Sequence, residues 1–157
     1  MTELFKTIVS SPIGDLVLAG DGRKLHRINL PGGNWPEPDA IEDDSKFDKV
    51  VGQLEEYWDG ARKTFDLDLY PQGTDFRMRV WSALGDIPYG RTVGYGELAR
   101  KIGRPKAARA VGAACGANPL PIVIPCHRVI GASGTLTGFG GGLDMKAQLL
   151  KLEGWER

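Results

Sequence analysis

The segment NPLPIVIPCHRVIG, residues 118–131, restricts the chain more than any other stretch. Pro119, Pro121 and Pro125 punctuate an otherwise apolar run. Each lacks a backbone N–H and fixes φ near −65°, so the run cannot be a helix interior. It reads as a buried, extended segment that ends on Cys126, His127 and Arg128 and holds the cysteine rigidly at its edge. The chain has two cysteines, Cys115 and Cys126, eleven positions apart. That pair makes no disulfide framework, and a reducing compartment, the cytoplasm, is the expected location. A plain reading of both thiols is small buried hydrophobes. Yet a buried cysteine needs no histidine beside it, and a metal-binding one would want Cys or His companions that are missing.

A thiol has a pKa of about 8.5 and becomes a nucleophile when a base or a positive charge favours the thiolate. His127 and Arg128 are the candidates. Adjacent side chains on an extended segment point in opposite directions, so His127 is expected to act through a water molecule or a bend. An acid elsewhere can orient the imidazole. Local chemistry alone leaves a cysteine hydrolase and a redox sensor both open.

The 157 residues suffice for one compact domain or two small ones. A content of 41% hydrophobic and 25% charged residues is that of an ordinary soluble protein. No apolar run approaches the 18 or so residues of a membrane span, and MTELFKTIVSSPIG lacks the pattern of a secretory signal, so no membrane role is expected. The net charge of zero conceals a division. Residues 1–74 carry eight Lys+Arg and fourteen Asp+Glu, net −6, whereas residues 75–157 carry twelve and six, net +6. Only the second part is suited to a polyanion.

The first part, residues 1–70, reads as a small α/β domain. LFKTIVS, LVLAG and LHRINL alternate with turn residues and predict an antiparallel meander. PGGNWPEPDAIEDDS reads as a polar loop. FDKVVGQLEEYWDG sets Phe47, Val50, Val51, Leu54 and Tyr57 on one helical face, and TFDLDLY is a further strand candidate. His26 is read as structural. Residues 71–74 form the linker.

Residues 75–157 read as a mostly α-helical domain. Thr74 caps DFRMRVWSAL, whose Phe76, Val80, Trp81 and Leu84 form a buried stripe. Two short helices follow, one running to Ile102 and an Ala-rich one from Lys106, around a turn with Gly103 and Pro105. This is the outline of a helix-turn-helix. Arg100, Lys101, Arg104, Lys106 and Arg109 cluster near the turn, within reach of phosphates. Ala107, Ala108, Ala110, Gly112, Ala113, Ala114 and Gly116 permit close approach to a backbone, or tight helix packing.

IPCHRVIG closely resembles the active-site signature of the O6-alkylguanine-DNA alkyltransferases (methylated-DNA–protein-cysteine methyltransferases). The resemblance extends over residues 74–154 through TDFRMRVWSALGDIPYG, TVGYGELA, PKAARAVGAACGANPLPIVIPCHRVIG and GFGGGLDMKAQLLKLEG. It implies that Cys126 accepts an alkyl group from guanine O6, and from thymine O4, in a single in-line displacement. His127 and Glu153 then resemble the pair that draws the thiol proton through a water molecule. Asn118 matches the residue that pins the turn before the cysteine. Tyr95 matches a phenol that meets guanine N3, the backbone of Val129 reads the exocyclic amine, and the Gly140 N–H faces O6. Arg109 matches the side chain that fills the stack when the nucleotide is flipped out. Ala107, Ala108, Ala110, Gly112, Lys106 and Arg104 belong to the helix and turn that meet the minor groove. The resemblance further implies a single-use protein with no cofactor and no metal, a monomer able to cluster on duplex DNA containing O6-alkylguanine.

Departures from the family pattern are specific. Phe139 stands where many relatives have tyrosine, and Gly116 where some have arginine. Residues 1–114 hold no cysteine, so the zinc site of some relatives cannot form. Pro121 matches relatives that accept bulky alkyl groups. The competing readings are a lesion sensor, whose known forms lack the cysteine, a helix-turn-helix regulator that never consumes Cys126, and a cysteine hydrolase that turns over repeatedly.

Overall fold

The computed structural model describes residues 3–32, 39–131, 134, 136, 139 and 142–155. The chain divides into two compact units, Met1–Pro71 and Gln72–Arg157.

In the first unit, β1 (Phe5–Val9), β2 (Leu16–Gly20) and β3 (Leu25–Asn29) form the antiparallel meander. A two-residue strand, β4 (Ile41–Glu42), joins the other edge of β1 in parallel, giving the order β3-β2-β1-β4. The sheet is therefore mixed, and part of the expected polar loop is strand. A 3₁₀ turn (Asp44–Phe47) leads into α1 (Asp48–Trp58), which buries Val50, Leu54 and Tyr57. Val51 is only half-buried, and Gln53 takes the buried place. Its side chain explains why TFDLDLY is not a strand. Gln53 Nε2 donates to the Asp66 carbonyl at 3.0 Å, and the Asp66 N–H donates to Gln53 Oε1 at 2.9 Å. With these backbone groups satisfied by a side chain, only a Leu25–Leu69 bridge remains.

In the second unit, the Thr74 hydroxyl accepts from the Arg77 N–H at the start of α2 (Asp75–Leu84), as expected for its cap. Val80, Trp81 and Leu84 are buried and Phe76 is half-buried. Val93–Gly94 (β5) opens α3 (Tyr95–Lys101), and Gly103 ends that helix at φ +79°. Gly103 N–H donates to the Arg100 carbonyl and Arg104 N–H to the Ala99 carbonyl, a Schellman closure that requires the left-handed residue. The Ala-rich helix α4 spans Ala108–Gly116, two residues later than its sequence suggested. Ala107 has no side chain with which to cap, and a turn in which Ala107 N–H donates to the Arg104 carbonyl uses up Lys106. α4 packs on α2 and α3, and the buried Trp81 indole N–H donates to the Ala114 carbonyl at 2.8 Å. β6 (Val129–Ile130) pairs in parallel with β5, and α5 (Leu143–Leu152) closes the unit. Among the described residues no helix is long and apolar enough to cross a membrane.

Candidate active site

The proline-punctuated run is buried but not extended. Ile124 N–H donates back to the Leu120 carbonyl, and Ile122 sits at φ +77°, a left-handed conformation costly for a β-branched residue. Asn118 holds this loop from both ends. Its Nδ2 donates to the Ile124 carbonyl at 2.8 Å, and its Oδ1 accepts from the Leu120 N–H at 2.9 Å. The chain then enters a 3₁₀ turn, Cys126–Arg128. Prolines that cannot sustain a ladder, combined with this clamp, produce a turn where an extended arm was expected. The bend also removes the opposed geometry of Cys126 and His127.

Cys126, His127, Arg128 and Glu153 are all buried. Glu153 is the C-cap of α5, and its Oε2 lies 2.7 Å from His127 Nε2. Arg128 donates from Nε to Oε1 of the same carboxylate at 2.8 Å and from Nη2 to Oε2 at 3.0 Å. Its Nη1 donates to the Ile87 carbonyl at 2.7 Å, which ties the turn after α2 to the site. An ionised carboxylate only accepts, so His127 carries its proton on Nε2 and leaves Nδ1 as an acceptor. Nδ1 is buried and, among the described residues, has no hydrogen-bond partner. Burial depresses the His127 pKa, opposed by the hydrogen bond and charge of Glu153, so the imidazole is neutral at pH 7.

Burial raises the Cys126 pKa, opposed first by a hydrogen bond from Asn118 and then by the charge of Lys146. Cys115 is pushed up to about 12, again by burial first. Lys146 is fully buried, and its Nζ donates to the Val129 carbonyl at 2.6 Å. Burial depresses its own pKa, offset by the two thiols. Sequence reasoning assigned no role to Lys146 and saw Arg128 only as a nearby charge. A signal for the lysine existed: Lys146, Leu149, Leu150 and Glu153 follow the i, i+3, i+4, i+7 spacing of a buried face.

Tyr95, the first residue of α3, is half-buried, and its ring passes 3.7 Å from the position a Cβ would take on Gly112. It lines an open cleft of about 630 Å³ with Val93, Arg100, Ala108, Ile130 and Gly131. The β5–β6 pair sets Val93 against Val129, three residues after Cys126. Arg109 and Ala110 are exposed on α4, Gly112 is half-buried there, and Ala108 begins the helix. Arg104 and Lys106 are exposed in the preceding turn, where Ala107 is half-buried. Val129 and Pro121 are buried and Phe139 half-buried, while Gly140 lies outside the described residues.

The neutral His127 implies a pH dependence of stability. The unfolded chain takes up this proton near pH 6.5, and the fold takes it up only at lower pH. Stability is therefore complete above pH 6.5 and falls as pH drops below it. The urea midpoint should decline from pH 7.5 to 5.5, and less steeply in His127→Gln.

A family model described as the 6-O-methylguanine DNA methyltransferase DNA-binding domain matches residues 75–155. A second, its ribonuclease-like domain, matches residues 4–71. The chain belongs to the 6-O-methylguanine DNA methyltransferase family. As a member it is a DNA-repair methyltransferase of the methylated-DNA–protein-cysteine class, with an N-terminal sheet domain before a helical DNA-binding domain. A Methanosarcina acetivorans methylated-DNA–protein-cysteine methyltransferase is 50% identical over 154 residues, covering 96% of this chain and 99% of that one. A Mycobacterium tuberculosis protein of the same name is 51% identical over 148 residues, covering 92% and 89%. The crystal structure of Mycobacterium tuberculosis OGT in complex with DNA superposes with a TM-score of 0.92 at 49% identity, covering 95% of this chain and 92% of that chain.

Proposed function

We propose that this methyltransferase reverses O6-alkylguanine, and O4-alkylthymine, in duplex DNA by one transfer to its own Cys126. The observation that carries the reading is the buried pair of Glu153 and His127, the residue after Cys126, with the acceptor nitrogen of His127 free of a partner among the described residues. The Cys126 proton passes through a water molecule to His127 Nδ1, and the thiolate sulfur attacks the alkyl carbon. The S–C bond forms as the C–O6 bond breaks, and the electron pair leaves on guanine, which Tyr95 helps to neutralise by a proton at N3. Asn118 fixes the sulfur's turn, and Lys146 supplies a positive charge that favours the thiolate. The Val129 carbonyl already accepts from Lys146 and keeps a second lone pair for the exocyclic amine. Among the base contacts, the Gly140 N–H is proposed to face O6 and Phe139 and Pro121 to border the alkyl group. The product thioether has no ready leaving group, so each molecule acts once; a monomer is proposed to suffice, because the residues proposed for transfer all come from one chain. Incubation with excess O6-methylguanine duplex should add one methyl group per protein, mapped to Cys126. Methylation of Cys115 or repeated turnover would refute the reading, as would transfer by Cys126→Ser.

The reacting atom lies inside a base stack, so the nucleotide must leave the helix. The exposed Arg109 on the small-residue face of α4 is proposed to enter the minor groove and occupy the stack, flanked by Ala107, Ala108, Ala110 and Gly112, with Arg104 and Lys106 on phosphates. Arg109→Ala should slow repair of duplex O6-methylguanine by one to two decades, at roughly 1.4 kcal/mol per decade. The variant should react almost normally with free O6-benzylguanine, which needs no extrusion. Equal slowing on both substrates would defeat this role.

A further inference from the structure

The first unit is acidic, with eight Lys+Arg against fourteen Asp+Glu, yet half of its cations line one cleft. Arg23 and Lys24 come from the β2–β3 turn, and Lys46 and Lys49 from the 3₁₀ turn and the first turn of α1. The cleft has a volume of about 170 Å³. Leu25 and Phe47 line it and are almost fully buried, at 3% and 2% exposure. One contact brings the walls together, and a second holds Lys46 against β1. Gly22, at φ +92°, lies with its missing Cβ 3.7 Å from the Lys46 stem, and the Lys46 ammonium lies 4.9 Å from the Phe5 ring centroid. The Lys24 ammonium lies 5.7 Å from the Tyr70 ring centroid. Rings that hold ammonium groups in place reduce the ordering cost of binding an anion.

The acids around the cleft offset these charges in part, and the Asp43 carboxylate, held down first by the Ser45 hydroxyl, also feels the Lys46 ammonium. Asp21 accepts from the backbone N–H groups of Arg23 and Lys24, each at 2.8 Å, and lies 3.1 Å from His26 Nε2. Asp68 also lines the cleft, a single carboxylate among four cations. Among the described residues, none of the four cations forms an ion pair. Charges of one sign above an apolar floor focus the local potential.

We infer that this cleft is an anion site that takes the phosphate group of a small phosphorylated molecule, separate from alkyl transfer. Its volume is below the roughly 300 Å³ at which sites for drug-sized ligands begin, so it admits a phosphate head and not a whole nucleotide. The net −6 of the surrounding unit repels a DNA duplex but acts far less on a single phosphate held among four cations.

The test is titration of the full chain with inorganic phosphate at constant ionic strength, read by amide NMR at Gly22, Arg23, Lys24 and Lys46. Saturable shifts at these residues are expected. In Lys24→Gln/Lys46→Gln, which alters only exposed side chains, the apparent Kd should rise at least tenfold. The variant should bind undamaged duplex and transfer a methyl group as the parent does. Linear, non-saturating shifts, or equal phosphate affinity in the variant, would overturn the site. A parallel loss of duplex affinity in the variant would also overturn it, by making the occupant a nucleic-acid backbone.

Discussion

Glu153→Gln is expected to slow alkyl transfer by about 10²–10⁴-fold at neutral pH, the usual contribution of a positioned general base. The carboxylate forces the Nε2–H tautomer of His127, 2.7 Å away, and so keeps Nδ1 available as the acceptor. A carboxamide can present either its oxygen or its N–H₂ to Nε2, and the second arrangement puts the proton on Nδ1. The substitution also removes the anion that stabilises an imidazolium. Burial already raises the Cys126 pKa, so a thiol without its base must wait for alkaline solution. Alkylation of Cys126 by a small reagent should therefore proceed at neutral pH in the parent and climb steeply between pH 6 and 9 in the variant. Identical profiles would show that Glu153 only pairs with Arg128 and caps α5. Using a small reagent keeps DNA binding out of the comparison.

Cys126 and His127 stood out in the sequence by their chemistry, whereas Glu153, which the fold places 2.7 Å from His127, was named only through the family resemblance. The local backbone was not legible. A run of Pro, Ile, Val and Leu carries no period that separates an extended arm from a buried turn, and the clamp that decides it depends on the side-chain rotamer of Asn118. TFDLDLY failed for a related reason. Alternation predicts a strand, but the Asp66 N–H and carbonyl go to Gln53, thirteen residues earlier in the chain, and the segment pairs with β3 only around Leu25. The two-residue β4 is set by tertiary pairing with β1 and has no pattern of its own.

Charge identity concealed the remaining two residues. Lysine and arginine are expected at the surface, so Lys146 within a mostly apolar stripe reads as an irregularity and Arg128 only as a charge near the thiol. Their burial is intelligible only with their partners in view. The Lys146 ammonium takes up the Val129 carbonyl, and Arg128 pairs with a carboxylate 25 positions away. The small-residue helix carried the opposite ambiguity. Its composition fits both close packing and close approach to DNA, and α4 does the first on one face, burying Val111, Ala114 and Cys115. Its other face leaves Arg109, Ala110, Ala113 and Gly116 exposed.

Arg128→Met should destabilise the second unit by about 3–5 kcal/mol, the cost of removing one partner from a buried ion pair. The guanidinium makes two bonds to Glu153 and one to the Ile87 carbonyl, joining the turn after α2 to the end of α5. Without it the Glu153 carboxylate stays buried and loses its positively charged partner, while the His127 Nε2–H and the Gly90 N–H still face it. A typical domain has only 5–15 kcal/mol of stability, so the variant should be marginal at 37 °C. Arg128→Lys should recover little, because a single ammonium cannot reproduce the planar fork. The informative control is Arg128→Met/Glu153→Gln. If the destabilisation comes from a stranded charge, removing that charge should restore part of the loss in urea unfolding, although alkyl transfer stays impaired. If instead the fork acts mainly by tying Ile87 to α5, the double variant should be no more stable than the single one. Amide exchange separates these outcomes locally, since a lost tie loosens the Gly85–Gly90 turn, whereas a stranded charge also loosens the last turn of α5.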